Sequence, residues 1–261
     1  MREFLTVEEN LRCAMRFFGE ATGTGEVRSL NRTVAMYSGL EYGVFNIALL
    51  TRPATASEGG LDPALTETAR YFKQRTRRWS FWLCEDLLDA ATRRKARQIA
   101  NDFGLRPISY PPGMMASQLL PPVRPLPEIE CRPVNDDETR GAFAEITSLC
   151  FEIPPGIANA VYGSAGAWNG LYKGFVGMVK GRPAAIAAMV EAAGALGIYS
   201  LATVPALRHQ GYGEALLRAA AACARPAGDG PFILQSTEAG HALYRRMGFR
   251  DVAKFTVYLT R

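Results

Sequence analysis

The stretch VPALRHQGYGEALLRAA, residues 204–220, sets two glycines two positions apart between Arg208 and a clean helical pattern. Glycine in a helix costs roughly 1 kcal/mol relative to alanine, so a pair at a helix start marks a backbone that must come close to something. Pro205 ends the apolar run before it. Ala215, Leu216, Ala219, Ala220 and Cys223 then form one small apolar face of a helix reaching to about residue 223. The first N–H groups of a helix lack internal partners and carry the positive end of its dipole. Gly211 and Gly213 would let that backbone wrap an anion, with Arg208 as a permanent cation beside it. The spacing suits a diphosphate, although a plain tight turn also accounts for both glycines. No Gly-Lys-Ser/Thr follows, which excludes a Walker loop. No further G-x-x-G follows either, which excludes a dinucleotide fingerprint.

Outward from this stretch, the second half of the chain reads as β-α-α-β-β-β-α-β-α-β. Strand EIECRPV (128–134) precedes a helix capped by Asp136 or Asp137 and running to about residue 151. A shorter helix near 157–162 leads to a hairpin, 174–180 and 183–191, and a third strand over 195–204. After the glycine helix come strand 231–236, helix 241–247, stopped by Gly248, and strand 252–259. PPVRPLPE, residues 121–128, holds four prolines in eight residues and reads as an extended connector. The first half echoes part of the order: helix 7–18, strands 34–39 and 43–52, a helix from Asp62, strand 79–84, helix 87–103 and strand 104–110. The expected organisation is a domain over 1–120, a linker over 121–127 and a domain over 128–261. The fold class is α/β (α+β), each half a mixed, mostly antiparallel twisted sheet flanked by helices.

With 261 residues, 48% hydrophobic and 21% charged, the chain has the composition of an ordinary globular protein. Its net charge of +5 is spread over both halves, weaker than the clustered patch of a nucleic-acid binder. The clusters KQRTRR (73–78) and RRKAR (93–97) read as solvated helix faces, since Ala96, Ile99, Ala100 and Phe103 supply a buried face beside them. Five scattered cysteines with no C-x-x-C, and only His209 and His241, exclude a disulfide framework and a zinc site, so no metal is expected. Glu3, Glu8 and Glu9 stand where a signal peptide needs an apolar core, and no apolar run reaches the ~18–20 residues of a membrane span. A cytoplasmic protein is expected.

Arg208-His209-Gln210-Gly211-Tyr212-Gly213 after a strand matches the Gln/Arg-x-x-Gly-x-Gly/Ala signature of the GCN5-related N-acetyltransferase (GNAT) family. FILQSTEAGHALYRRMGFRDV (232–252) resembles the family's second motif, a strand, a short helix with the acid tyrosine, then Gly-Phe. The resemblance covers residues 128–261. It implies acetyl-CoA as co-substrate and transfer of the acetyl group to a primary amine by direct attack. It further implies that backbone groups of Leu201, Ala202, Thr203 and Val204 pair with the pantetheine amides. Amides from His209, Gln210, Gly211, Tyr212 and Gly213, with Arg208, would hold the diphosphate. A backbone N–H on the same strand would polarise the thioester carbonyl. Tyr244 would protonate the departing thiolate, and Ser236 would touch cofactor or substrate. Tyr244 also fits a core residue with its hydroxyl at the rim.

The family's glutamate base is missing from ALGIYSLATV (195–204), leaving Glu191, Glu238 and Glu152 as unranked substitutes. The first half reads TRPATASEGGLDP (51–63) where the cradle would be, and Asp62 puts a negative charge at that helix start. It resembles the degenerate N-terminal copy of tandem members of the family and is expected to bind no CoA. Expected partners are a small-molecule or peptide amine, with a homodimer admissible and neither membrane nor nucleic acid. The alternative is a non-catalytic acyl-CoA-binding or regulatory module.

Overall fold

A computed structural model describes residues 3–76, 78–225 and 229–260. Arg77, inside the first basic cluster, lies outside the described residues. The chain forms two compact units, Met1–Phe17 with Met114–Arg250, and Phe18–Gly113 with Asp251–Arg261. The break therefore falls at 113/114 and not in the proline run, and each unit takes in one end of the chain. Strand pairing has no local sequence signal, so a linear reading places the seam where proline is dense.

In the first unit the strands are β6 (Pro112–Ala116, from Met114), β7 (Glu130–Pro133), β8 (Tyr172–Val179), β9 (Arg182–Ala192), β10 (Ala195–Thr203) and β11 (Phe232–Gln235). Their order is β6-β11-β10-β9-β8-β7. The pairs from β7 to β10 are antiparallel, and β10 with β11 is parallel. The helices are α1 (Glu3–Glu20, through Phe17), α4 (Asp137–Phe151), α5 (Pro155–Tyr162), α6 (Tyr212–Ala224) and α7 (Glu238–Arg246). The order of elements in the second half is the one the sequence predicts. Asp136 is the α4 cap, in a reciprocal box with Thr139.

β9 explains how this sheet is sandwiched. Its AAIAAMV run, residues 184–190, is buried on both faces, as in a strand covered on each side. Ala185, Ala187 and Met189 join the core shared with Leu216, Leu217, Leu234, Tyr244 and Phe249. Elsewhere in the unit Phe17 of α1 stacks on Tyr172 at 4.3 Å, and Phe143 meets Trp168 edge-on at 5.0 Å. Asn10 of α1 donates to the Ala192 and Ala195 carbonyls (2.8 and 3.0 Å) and accepts from the Tyr199 hydroxyl at 2.7 Å. Gly197 makes this approach possible, since a Cβ there would stand 2.1 Å from Asn10 Oδ1.

The second unit contains β1 (Glu26–Ser29), β2 (Thr33–Tyr37), β3 (Ile47–Leu50), β4 (Ser80–Cys84), β5 (Leu105–Ser109) and β12 (Arg250–Thr260, from Asp251). Helices α2 (Asp62–Lys73) and α3 (Ala90–Asp102) complete it. Two antiparallel pairs, β1-β2 and β2-β3, are followed by the parallel pair β3-β4. The same succession runs from β8 to β11. The C-terminal strand β12 closes this sheet, antiparallel to β4 and to β5.

Candidate active site

β10 and β11 pair through only two residues, Leu196 with Phe232 and Gly197 with Ile233. Beyond them β10 runs on to Thr203 and β11 stops at Gln235, so the strands part and leave the β10 edge open. Within that open stretch the register of β10 against β9 slips between Tyr199 and Ala202. Ser200, at φ +47, is the extra residue of a bulge, and its Oγ lies 2.8 Å from the Tyr172 hydroxyl. Bulges re-aim a strand, here just where it begins to line the gap.

The gap opens into a cleft of about 950 Å³, lined by Leu201, Ala202, Thr203, the loop to α6 and the inner side of α7. A left-handed backbone shapes that loop, with His209 at φ +62 and Gly211 at φ +95. The first α-helical bond of α6 runs from the Ala215 N–H to the Gly211 carbonyl. The N–H groups of residues 212–214 therefore belong to the open first turn. The two glycines serve different ends. Gly211 supplies the positive φ, whereas Gly213 has ordinary helical φ and supplies clearance, for a Cβ there would press to 3.2 Å of Thr203 Oγ1. Arg208 Nε donates to the Thr203 carbonyl at 3.1 Å, tying the loop to the strand end. Arg124, Arg208 and Arg246 line the cleft, and its one lining carboxylate among the described residues, Glu214, is held by Arg218 at 2.7 Å. The balance favours an anion.

Tyr244 lines the same cleft from α7 while being only 9% exposed. Burial pushes its hydroxyl up to about 12, so it stays protonated at neutral pH and is available as a proton donor. Its ring meets Phe249 edge-on at 5.7 Å. Gly240, one turn earlier, is what admits it, because a Cβ there would stand 2.9 Å from Tyr244 Cε2. Thr237 caps α7 by accepting from the Gly240 N–H at 3.2 Å.

Of the residues singled out in the sequence, the cleft brings together Leu201, Ala202, Thr203, Arg208, His209, Gly211, Tyr212, Gly213 and Tyr244. Val204, Gln210, Ser236 and Glu238 are not among its lining. Val204 turns its N–H to the Ala184 carbonyl, Gln210 Nε2 donates to Ala206, and Ser236 Oγ, buried, donates to the Thr237 carbonyl. Glu191 is misplaced as a candidate base. It pairs with Leu196 at the opposite end of β10 and is bound to Arg225 at 3.1 Å. Lining residues that the sequence reading missed include Val123, Arg124, Cys150 and Gly240. An arginine locked between prolines and a glycine one turn before a helical tyrosine were the available signals. Among the described residues no cluster of ligating side chains suits a metal ion, and no helix is long and apolar enough to cross a membrane.

Comparison with known proteins places this site in a class. Residues 168–251, from just before β8 to the start of β12, match the family model of the acetyltransferase (GNAT) domain. A GCN5-related N-acetyltransferase from Kribbella flavida superposes with a TM-score of 0.69 at 18% identity, over 98% of this chain and 95% of that one. A GNAT-family structure from Novosphingobium aromaticivorans gives 0.57 at 15% identity, over 97% of both chains. A GCN5-related N-acetyltransferase from Sphaerobacter thermophilus gives 0.55 at 16%, over 88% and 76%. At these identities the likeness is one of fold. Among curated protein sequences none matches. Residues 168–251 thus match the GNAT domain, and the fold is the one these acetyltransferase structures share.

Proposed function

We propose that the cleft binds acetyl-CoA and that the enzyme passes the acetyl group to the primary amine of a small molecule or peptide by direct attack. The observation that carries the reading is the parting of β10 and β11 after Gly197, with an anion-seeking helix start at one side of the gap and a protonated, buried tyrosine at the other. An open strand edge accepts an extended amide chain by hydrogen bonding as an added strand would, which suits pantetheine to residues 201–203. The left-handed turn at His209 and Gly211 and the first N–H groups of α6 suit the diphosphate. Bound there, the thioester supplies an activated acyl carbon. Backbone N–H groups beside the Ser200 bulge stabilise negative charge developing on the carbonyl oxygen, and Tyr244 protonates the departing sulfur. The cleft has no carboxylate free of an ion pair among the described residues to serve as base, so the amine's proton leaves through solvent at its mouth.

The second unit supports a degenerate copy of the same fold that holds no cofactor. Titration of acetyl-CoA into the full chain by calorimetry is the test: one micromolar site per chain is expected, followed by thiol release with an amine acceptor. Absence of binding would sink the reading. Rapid acylation of the protein without an acceptor would replace direct attack by a covalent route.

A further inference from the structure

The proline-rich stretch is part of the cleft wall. Val123 and Arg124 line it, and the chain around them is tied to the site at several points. The Leu120 N–H donates to the Met247 carbonyl at 3.0 Å, just past α7, and the Leu120 carbonyl accepts from Arg218 of α6. Further on, Pro127 Cδ and Leu126 Cδ2 lie 3.0 and 3.6 Å from where a Cβ on Gly211 would be. Between these ties Arg124 Nη2 donates to the His209 carbonyl at 2.9 Å and stands 3.8 Å from that same Gly211 position. The guanidinium is thus parked on the left-handed turn whose amides suit phosphate. Among the described residues, one of its five N–H groups is used on the protein. Neighbouring prolines at 122 and 125 fix φ, so little chain entropy remains to be lost when it engages a ligand.

We propose that Arg124 is a direct ligand of the cofactor's diphosphate, a cation supplied from outside the glycine loop and bridging the His209 carbonyl to a phosphate oxygen. The proposal rests on the reading of the cleft as a CoA site and adds a residue to it. Arginine suits the task because its planar fork can hold a carbonyl with one arm and an oxyanion with the other. Arg208, whose Nε is spent on Thr203, is turned towards the strand end and leaves this side of the turn to Arg124.

The test compares Arg124→Ala and Arg124→Gln with the wild-type full chain, titrating CoA, 3′-dephospho-CoA and pantetheine at one ionic strength. For a solvent-exposed charge-assisted contact, Arg124→Ala should weaken CoA about tenfold. The loss should be as large with dephospho-CoA, which keeps the diphosphate, and absent with pantetheine, which lacks it. Gln can still donate to the His209 carbonyl but carries no charge, so it should behave as Ala does. Full affinity in Arg124→Gln would overturn the proposal and leave Arg124 a brace for the loop. Unchanged affinity in Arg124→Ala would overturn it while the CoA site stands. A loss that vanishes with dephospho-CoA would move the contact to the 3′-phosphate, against the assignment. No binding of CoA to the wild type would take down the site reading and this inference together.

Discussion

The crossing from β10 to α6 and the crossing from β3 to α2 are built alike and differ in what they leave open. Each runs from a strand through a short 3-10 turn (Pro205–Leu207 or Ala56–Glu58) into two residues with positive φ and then a helix. The left-handed pair is His209 and Gly211 in one, Gly59 and Gly60 in the other. In the second unit the donors are consumed or removed. The Ala56 N–H donates to Asp89 Oδ2 at 2.8 Å and the Gly60 N–H to the Thr55 carbonyl at 2.8 Å. Leu61 is fully buried, Asp62 puts an acid in the first turn, and Pro63 has no N–H. The turn's shape is thus preserved without its chemistry. Anion binding at a helix start needs open N–H groups and cations as well as left-handed backbone, and of these two crossings the one from β10 combines them.

The most damaging way to test the contrast is Gly211→Glu. A side chain at φ +95 is strained, its Cβ would press to 3.0 Å of Pro127, and a carboxylate would repel phosphate. Acetyl-CoA affinity should fall by about a hundredfold or more, whereas Gly60→Glu should leave the calorimetric stoichiometry and affinity untouched. Loss of binding in the Gly60 variant would make the second unit a cofactor site after all. The two units also differ after their parallel strands, since α7 presents Tyr244 and α3 has no tyrosine. Tyr244→Phe should lower kcat by about a hundredfold with little change in cofactor affinity, as expected for loss of a positioned acid. Equal losses in both would reduce Tyr244 to packing. Gly240→Ala, which crowds that ring, should cut kcat about fivefold while leaving α7 folded, because alanine is the better helix former by about 1 kcal/mol.

Alkaline stability is where the two units should agree. Burial pushes Tyr244 in the first unit, and mainly burial Tyr258 in the second, up to about 12. Between pH 10 and 12 the unfolded tyrosine ionises and the folded one keeps its proton, so stability falls as pH rises through that window. For Tyr244 the loss amounts to about 3 kcal/mol. Denaturant melts at pH 9 and pH 11.5 should show a smaller drop in Tyr244→Phe than in the wild type. Smallest of all, Asp62→Asn should neither create a second CoA site nor shift the first, because Pro63 and buried Leu61 still close that helix start.

What the sequence made legible was local. The glycine turn, the helix after it and the β order of the second half follow from residue spacing and from turn and cap preferences acting within a few positions, whereas Tyr244 was legible only through the family resemblance of 232–252. The details that place the site are mostly non-local. Ser200 gives no sign that it will bulge, since the cause lies in its pairing with β9 and its contact with Tyr172. Glu191 looked eligible as a base because strand polarity does not say which end of β9 faces the cleft. The strands β1 and β6 were not anticipated: EVRS is short and charged, and PGMMA holds a proline and a glycine, so neither reads as strand without its neighbour. The proline run read as a connector because its hydrogen bonds go to residues some ninety to a hundred and thirty positions further along the chain.

The exchange of chain ends between the units has a consequence for synthesis. Residues 18–113 leave the ribosome before residues 114–250, yet the sheet they form is closed by β12. Until all of 114–250 has been translated, the edge of β4 that takes β12 stays unpaired and open to other strands or to a chaperone. The unit that holds the cleft has all its strands and helices once Arg250 emerges, whereas the unit of residues 18–113 must wait for β12, translated after it. A tag, a stop codon or a protease cut just after Phe249 would therefore be felt most by the unit of residues 18–113, far upstream of the change.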